Sequence, residues 1–292
     1  MKLRRIALVG LAVVMAFGLM LGLSGCGFII PIRGNGNVVS VYVPLNGTFD
    51  EIVVGGSFNV VVSSQASNRA ILHVEENLAR FVQVELQGNT LRVSQPINTS
   101  IRPTRPVEIH IGTEMLRGVR VTGSGSVMGE GQFEADNFRG SVSGSGSAEL
   151  SFGDVNMLDI SITGSGRLDL AGGIAERANV TVSGSGRADI DFDITDTLDL
   201  RITGSGDVMF EDGIADQANI SVSGSGTANL RRLVTQAAYV RVTGSGDVFI
   251  TLEESLNGSI AGSGDVTYFG YIDDANVDVR TTGSGRVRRG RS

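Results

Sequence analysis

Cysteine occurs once in the 292 residues, at Cys26, so no disulfide can form within the chain. Tryptophan is absent and aromatic residues make up only 5%, so any core must rest mainly on aliphatic side chains. Lysine also occurs once, as Lys2, and every later cation is an arginine, which reads as compositional bias of the genome. The two histidines, His73 and His110, stand 37 positions apart. A metal cluster calls for more ligands at closer spacing, so both are expected to be structural, with no metal or cofactor. Positive charge is scarce too: 24 Lys and Arg face 31 Asp and Glu, for a net charge of −7. That balance argues against nucleic acid or an anionic membrane surface as partner.

Long apolar runs are absent except at the start. Lys2, Arg4 and Arg5 precede an uncharged run from Ile6 to Leu23, the layout of a secretory signal rather than of a fold element. The run ends in Leu23-Ser24-Gly25-Cys26, which resembles the lipobox of bacterial lipoproteins. The resemblance implies removal of residues 1–25 and lipidation of Cys26. The mature chain would then be anchored to the outer face of a bacterial cell membrane or to the outer membrane. Losing the three basic residues moves its net charge from −7 to −10.

Glycine is the abundant residue, 41 in all, and much of it falls in one motif. Gly-Ser-Gly begins at residues 123, 144, 164, 184, 204, 224, 244, 262 and 283, in steps of 21, 20, 20, 20, 20, 20, 18 and 21. A phosphate-binding glycine loop sits between a strand and a helix. Here the residues after the motif, Arg187 to Phe192, alternate polar and apolar, which is a strand period. Nor do the serines look like catalytic nucleophiles, because no histidine recurs beside them as a base. A motif repeated at a fixed period is architectural.

Parity carries the alternation through the motif, with Val180, Val182, Gly184, Gly186, Ala188, Ile190 and Phe192 on one side. Short polar breaks such as Thr195-Asp196-Thr197 supply turns. Twenty residues at ~3.3 Å each give a contour of ~66 Å, one closed coil of a parallel β-helix with coils stacked ~4.8 Å apart. The fold class is therefore all-β, a right-handed parallel β-helix of 11 to 13 coils, with Val182, Ile202, Val222 and Val242 in one inward column. An antiparallel sandwich or prism of hairpin repeats is the alternative, because GIAERANVTVSGSG at 173–186 recurs forty residues later as GIADQANISVSGSG. The organisation expected is a signal over 1–25, a lipidated tether over 26–46, capping coils and a hairpin about Gly88-Asn89 over 47–110, and the repeats over 111–288. Arg33 to Asn37 would be a polar spacer.

Two outward hydroxyl ranks follow from the register. One contains Thr163, Ser183, Thr203, Ser223 and Thr243, the other Ser165, Ser185, Ser205, Ser225 and Ser245. Together they form the candidate binding face, read as flat, for a glycan or a protein surface, and ice is a further alternative. Arg201, Arg241 and Arg280 flank them. Stacking also predicts an acidic column, Glu149, Asp169 and Asp189, which calcium would fit, and an exposed ion pair between Arg187 and Asp207. Acids beside an arginine keep a polysaccharide lyase open as the alternative function. No one coil stands out as a catalytic site, and the chain reads as a non-enzyme.

The stretches FDEIVVGGSFNVVV, ENLARFV, LQGNTLRV and SIAGSGDVTYFG, with the recurring [IV]-[ST]-G-S-G ladder, resemble the autotransporter-adhesin head GIN domain family. The resemblance spans roughly Phe49 to Val287. It implies a β-helix and an adhesive role, and it brings no catalytic residues to carry over.

Overall fold

The computed structural model describes residues 31–291. The signal run and Cys26 lie outside the described residues. Within them the chain is almost entirely strand, with two short 3-10 turns at Ala79–Phe81 and Asp274–Asn276.

The repeats coil as parity dictates. Leu198, Leu200 and Ile202 point inward and are buried, while Asp199, Arg201 and Thr203 between them are exposed. One ladder of parallel strands runs from Glu51–Gly56 through Gly118–Gly123, Asn137–Gly144 and Val155–Gly164 to Val277–Gly283. We call its outward surface the first face. A second parallel ladder starts at Asn59–Ser63 and Ser126–Phe133 and ends at Val287–Arg289. Neighbouring Gly-Ser-Gly strands all run parallel, which removes the antiparallel alternative.

Val182 pairs with Ile202, Ile202 with Val222, and Val222 with Val242, and all four are fully buried. Each such side chain contributes about 1.5–3 kcal/mol on leaving water. Phe133, Phe138, Phe152, Phe192 and Phe210 fill the wider part of the interior. Gly172 stands beside the Phe192 ring, in space that a Cβ would take.

Unequal coil lengths are absorbed on the third side, between the end of one ladder and the start of the other. Pairing jumps there from Leu230↔Ile250 to Val234↔Thr251, so the short coil that ends at Gly262 leaves Arg231, Arg232 and Leu233 opposite nothing. In that coil the pairing on both long ladders keeps its register, whereas Ser126–Phe133 takes up its own extra residues in a bulge between Met128 and Gln132.

The stack has about nine turns, fewer than the 11 to 13 expected. The difference lies in residues 64–112, which leave the coil path. Arg69–Glu75 pairs antiparallel with both Val38–Pro44 and Glu108–Gly112. The hairpin Gln83–Gln87 and Thr90–Ser94 turns at Gly88. Thr90–Ser94 then adds to the edge of Glu51–Gly56, and Glu108–Gly112 to the edge of Asn59–Ser63. Both exposed edges of the first coil are thereby paired, which blocks edge-to-edge association there.

The stretch Arg33 to Asn37 is no free spacer. The Asn77 amide donates to the Arg33 carbonyl at 2.8 Å, and the Gly34 amide donates to the Arg102 carbonyl at 3.1 Å. The Gly36 amide donates to the buried carboxylate of Glu75.

Candidate binding face

The two hydroxyl ranks do not share one flat sheet. Thr163, Ser183, Thr203, Ser223 and Thr243 end the strands of the first face and stack in register. Ser165, Ser185, Ser205, Ser225 and Ser245 sit one step beyond, at the corner where the chain turns toward the second ladder. The first glycine of each motif makes the bend. Gly204, for example, has φ +112, a conformation that an L side chain resists. A Cβ there would also lie 2.5 Å from the Gly184 carbonyl oxygen. The ladder continues around the corner: the Ser185, Ser205 and Ser225 amides each donate at 2.8 Å to the first glycine's carbonyl in the preceding coil. Both ranks are solvent-facing, with only Ser183 half-buried. They meet as a ridge rather than as a plane.

Inside that ridge the first face carries two more outward columns. Arg201, Arg241 and Arg280 do lie on it, one position inward of the Thr and Ser rank. Beside them, Asn179, Asp199, Asn219 and Tyr239 form the next column, in which the Asn219 amide donates to Asp199 at 2.9 Å. A shallow groove of about 510 Å³ runs between these columns, lined by Thr181, Arg201, Ser221, Tyr239 and Arg241. A second groove of about 400 Å³ lies nearer the capped end of the same face, lined by Arg92, Arg120, Thr122 and Arg139. An exposed tyrosine, amides, hydroxyls and guanidinium groups in an open trough can stack on a sugar ring and hydrogen-bond its hydroxyls and acids.

The acidic column lies on the second ladder, as Glu149, Asp169 and Asp189, in register. Two of its three acids, Asp169 and Asp189, are paired from within. Arg167 bridges Asp169 at 2.8 Å and Asp189 at 2.7 Å, and Arg187 donates to Asp189 at 2.9 Å. Arg187 therefore pairs with Asp189, two residues on along its own strand, in place of the expected Asp207. The reason is burial: Asp189 is only 8% exposed and needs its charge balanced, whereas Asp207 is better solvated. Burial pushes the Asp169 carboxyl above its ordinary value, against the hydrogen bond from Arg167. The same hydrogen bond holds the Arg167 guanidinium above its usual value. No group of three or more metal-ligating side chains occurs among the described residues.

The histidines are brought together, which their spacing does not suggest. They sit on adjacent antiparallel strands with ring centroids 5.2 Å apart, edge to face. His73 Nδ1 lies 3.1 Å from the Ser40 hydroxyl, and His110 Nε2 lies 3.8 Å from a Glu108 carboxylate oxygen. Only the excursion of residues 64–112 joins these strands, and no periodicity marks it.

A family model described as "putative auto-transporter adhesin, head GIN domain" matches residues 48–211 and 188–271. The chain belongs to that family. Solved structures share the fold. A "putative adhesin" from Parabacteroides merdae is 20% identical, with a TM-score of 0.66 over 89% of this chain and 99% of that one. A "putative adhesin" from Parabacteroides distasonis is 18% identical, with a TM-score of 0.69 over 89% of this chain and all of that one. A "putative lipid binding protein" from the same organism is 23% identical, with a TM-score of 0.66 over 90% of this chain and all of that one. No curated protein matches in sequence. Membership in a head GIN family of adhesins points to a place outside the cytoplasm. No helix among the described residues is long and apolar enough to cross a membrane.

Proposed function

We propose that this head GIN protein is a non-catalytic, adhesin-like lipoprotein of the bacterial envelope. It would be anchored through Cys26 and would bind glycan or protein surfaces along the first face of its β-helix. The observation that carries the reading is the in-register run of hydroxyl, amide and guanidinium columns beside two open grooves. Each hydroxyl contact contributes about 0.5–1.5 kcal/mol net, so affinity comes from repetition along the face. The lyase alternative loses support because the arginines beside those acids, Arg167 and Arg187, are already tied to Asp169 and Asp189, although Glu149 and Asp191 in the same groove are unpaired among the described residues.

The test replaces Thr203, Ser223 and Thr243 together by Glu and measures adhesion of intact cells to matrix and to sister cells. These side chains are exposed, so the fold should survive. The reading predicts lost adhesion with unchanged circular dichroism. Parental adhesion by the folded variant would overturn it. Cys26→Ala should shift the protein out of the membrane fraction, and unchanged partition with the signal cleaved would refute the anchor.

A further inference from the structure

One column of the first face has a period that the repeat itself does not impose. Following the pairing rung by rung from the capped end, it reads Arg92, Val53, Arg120, Ser141, Ser161, Thr181, Arg201, Ser221, Arg241, Ser259, Arg280. Arginine falls on every second rung, and the rungs between hold small residues. Counting Arg92 as the first rung, the one odd rung without arginine is Ser161. Two rungs measure about 9.6 Å.

These five arginines are exposed, and none holds a carboxylate or any hydrogen-bond acceptor among the described residues. Arginines elsewhere commonly do: Arg139 holds Asp159 at 2.9 Å and Arg177 holds Asp196 at 2.9 Å. The acids nearest the column are Glu51, Asp159, Asp199 and Asp278, in the neighbouring column, and Asp159 is the one that Arg139 holds. Glu51 accepts from Thr90 and Asp199 accepts from Asn219. A spacing close to the Debye length at physiological salt keeps repulsion between the guanidinium groups small. Each of the two grooves on this face lies between two successive arginines of the column: Arg92 and Arg120 in one, Arg201 and Arg241 in the other.

We propose that this column reads a linear acidic polysaccharide that carries one anionic group on every second sugar and lies along the helix axis. The proposal rests on the first face being the binding face and names its ligand class. One extended hexose advances a polymer by about one β-rung, so a charge on alternate sugars meets a guanidinium on alternate rungs. Guanidinium binds a carboxylate through two parallel hydrogen bonds, a geometry that suits arginine and not lysine. The sugars between would sit over Ser221 and Ser259, with Tyr239 offering a stacking surface. A nucleic acid strand fits poorly, because its phosphates follow one another at about 3.4 Å along a duplex strand, and the chain's net charge of −7 repels a denser polyanion.

The test uses the whole protein in detergent and three soluble polymers. They are hyaluronan, which has one carboxylate per disaccharide, the same polymer with its carboxyls reduced to alcohols, and single-stranded DNA. Hyaluronan should bind, and the other two should bind at least about tenfold more weakly. Replacing Arg201, Arg241 and Arg280 together by Gln should weaken hyaluronan binding by about tenfold or more, while Arg232→Gln, on the third side, leaves it unchanged. Filling the vacant odd rung with Ser161→Arg should tighten binding by about threefold, and Thr181→Arg, the same charge on an even rung, should gain less. Equal gains from the two additions, equal binding of the reduced polymer, or DNA bound as tightly as hyaluronan would each overturn the register. A protein that adheres through Thr203, Ser223 and Thr243 but ignores hyaluronan overturns this inference alone.

Discussion

At Gly204 two constraints act on one residue. Its φ of +112 excludes most side chains, and its Cα faces the Gly184 carbonyl too closely for a Cβ. Gly204→Ala should therefore destabilise the protein by about 1–3 kcal/mol, while Ser205→Ala, one residue on and exposed, should change stability by no more than about 0.5 kcal/mol. Chemical denaturation of the two variants checks the contrast, and similar costs would show that the corner tolerates a side chain. Glu75 poses a different residue-scale question. It is buried and accepts from the Thr104 hydroxyl at 2.6 Å and the Thr104 amide at 2.8 Å. The Thr104 hydroxyl, with further help from backbone amides, holds its carboxyl below the ordinary glutamate value of 4.5. A depressed carboxyl stabilises the fold above the unfolded-chain value, and that contribution drains as pH falls through the lower, folded value. The melting temperature of Glu75→Gln should thus lie furthest below the parent's near neutrality, with the gap narrowing below pH 4.5. A gap independent of pH would mean that Glu75 is not held as a carboxylate.

At the scale of the coil, one strand contributes one residue to each column, so a single deletion leaves a void with neighbours above and below. Ile202 packs between Val182 and Val222 and is fully buried. Ile202→Ala should cost about 2–5 kcal/mol, and an urea midpoint equal to the parent's would contradict the inward column. That column was legible in the sequence because strand parity and a 20-residue period suffice to place Val182, Ile202, Val222 and Val242 together. The corner was not. Alternation continues through Gly204 and Ser205 in the letters, while the bend resides in a backbone angle that glycine merely permits. The stacked pair His73 and His110 was hidden for another reason, since it depends on non-repeating strands crossing the end of the stack. The partner of Arg187 is not legible in the letters, because parity reports facing and not depth, and depth decides which acid needs a cation. The arginine column was in the letters, but counting rungs required the pairing of Thr90–Ser94 with Glu51–Gly56, which reverses sequence order.

On the scale of the whole molecule, the cap closes one end and the two ladders present different surfaces along the length. On the second ladder Arg167 and Arg187 are taken up by Asp169 and Asp189. The first face leaves the arginines of one column free beside the hydroxyl ridge, and it is there that we place contact with the partner. Arginine-selective labelling with phenylglyoxal, read by mass spectrometry with and without bound hyaluronan, tests this most directly. Arg201, Arg241 and Arg280 should be shielded by the polymer, while Arg167 on the second ladder and Arg232 on the third side label as before. Equal shielding of all five, or shielding of Arg167 and Arg232 alone, would contradict that placement.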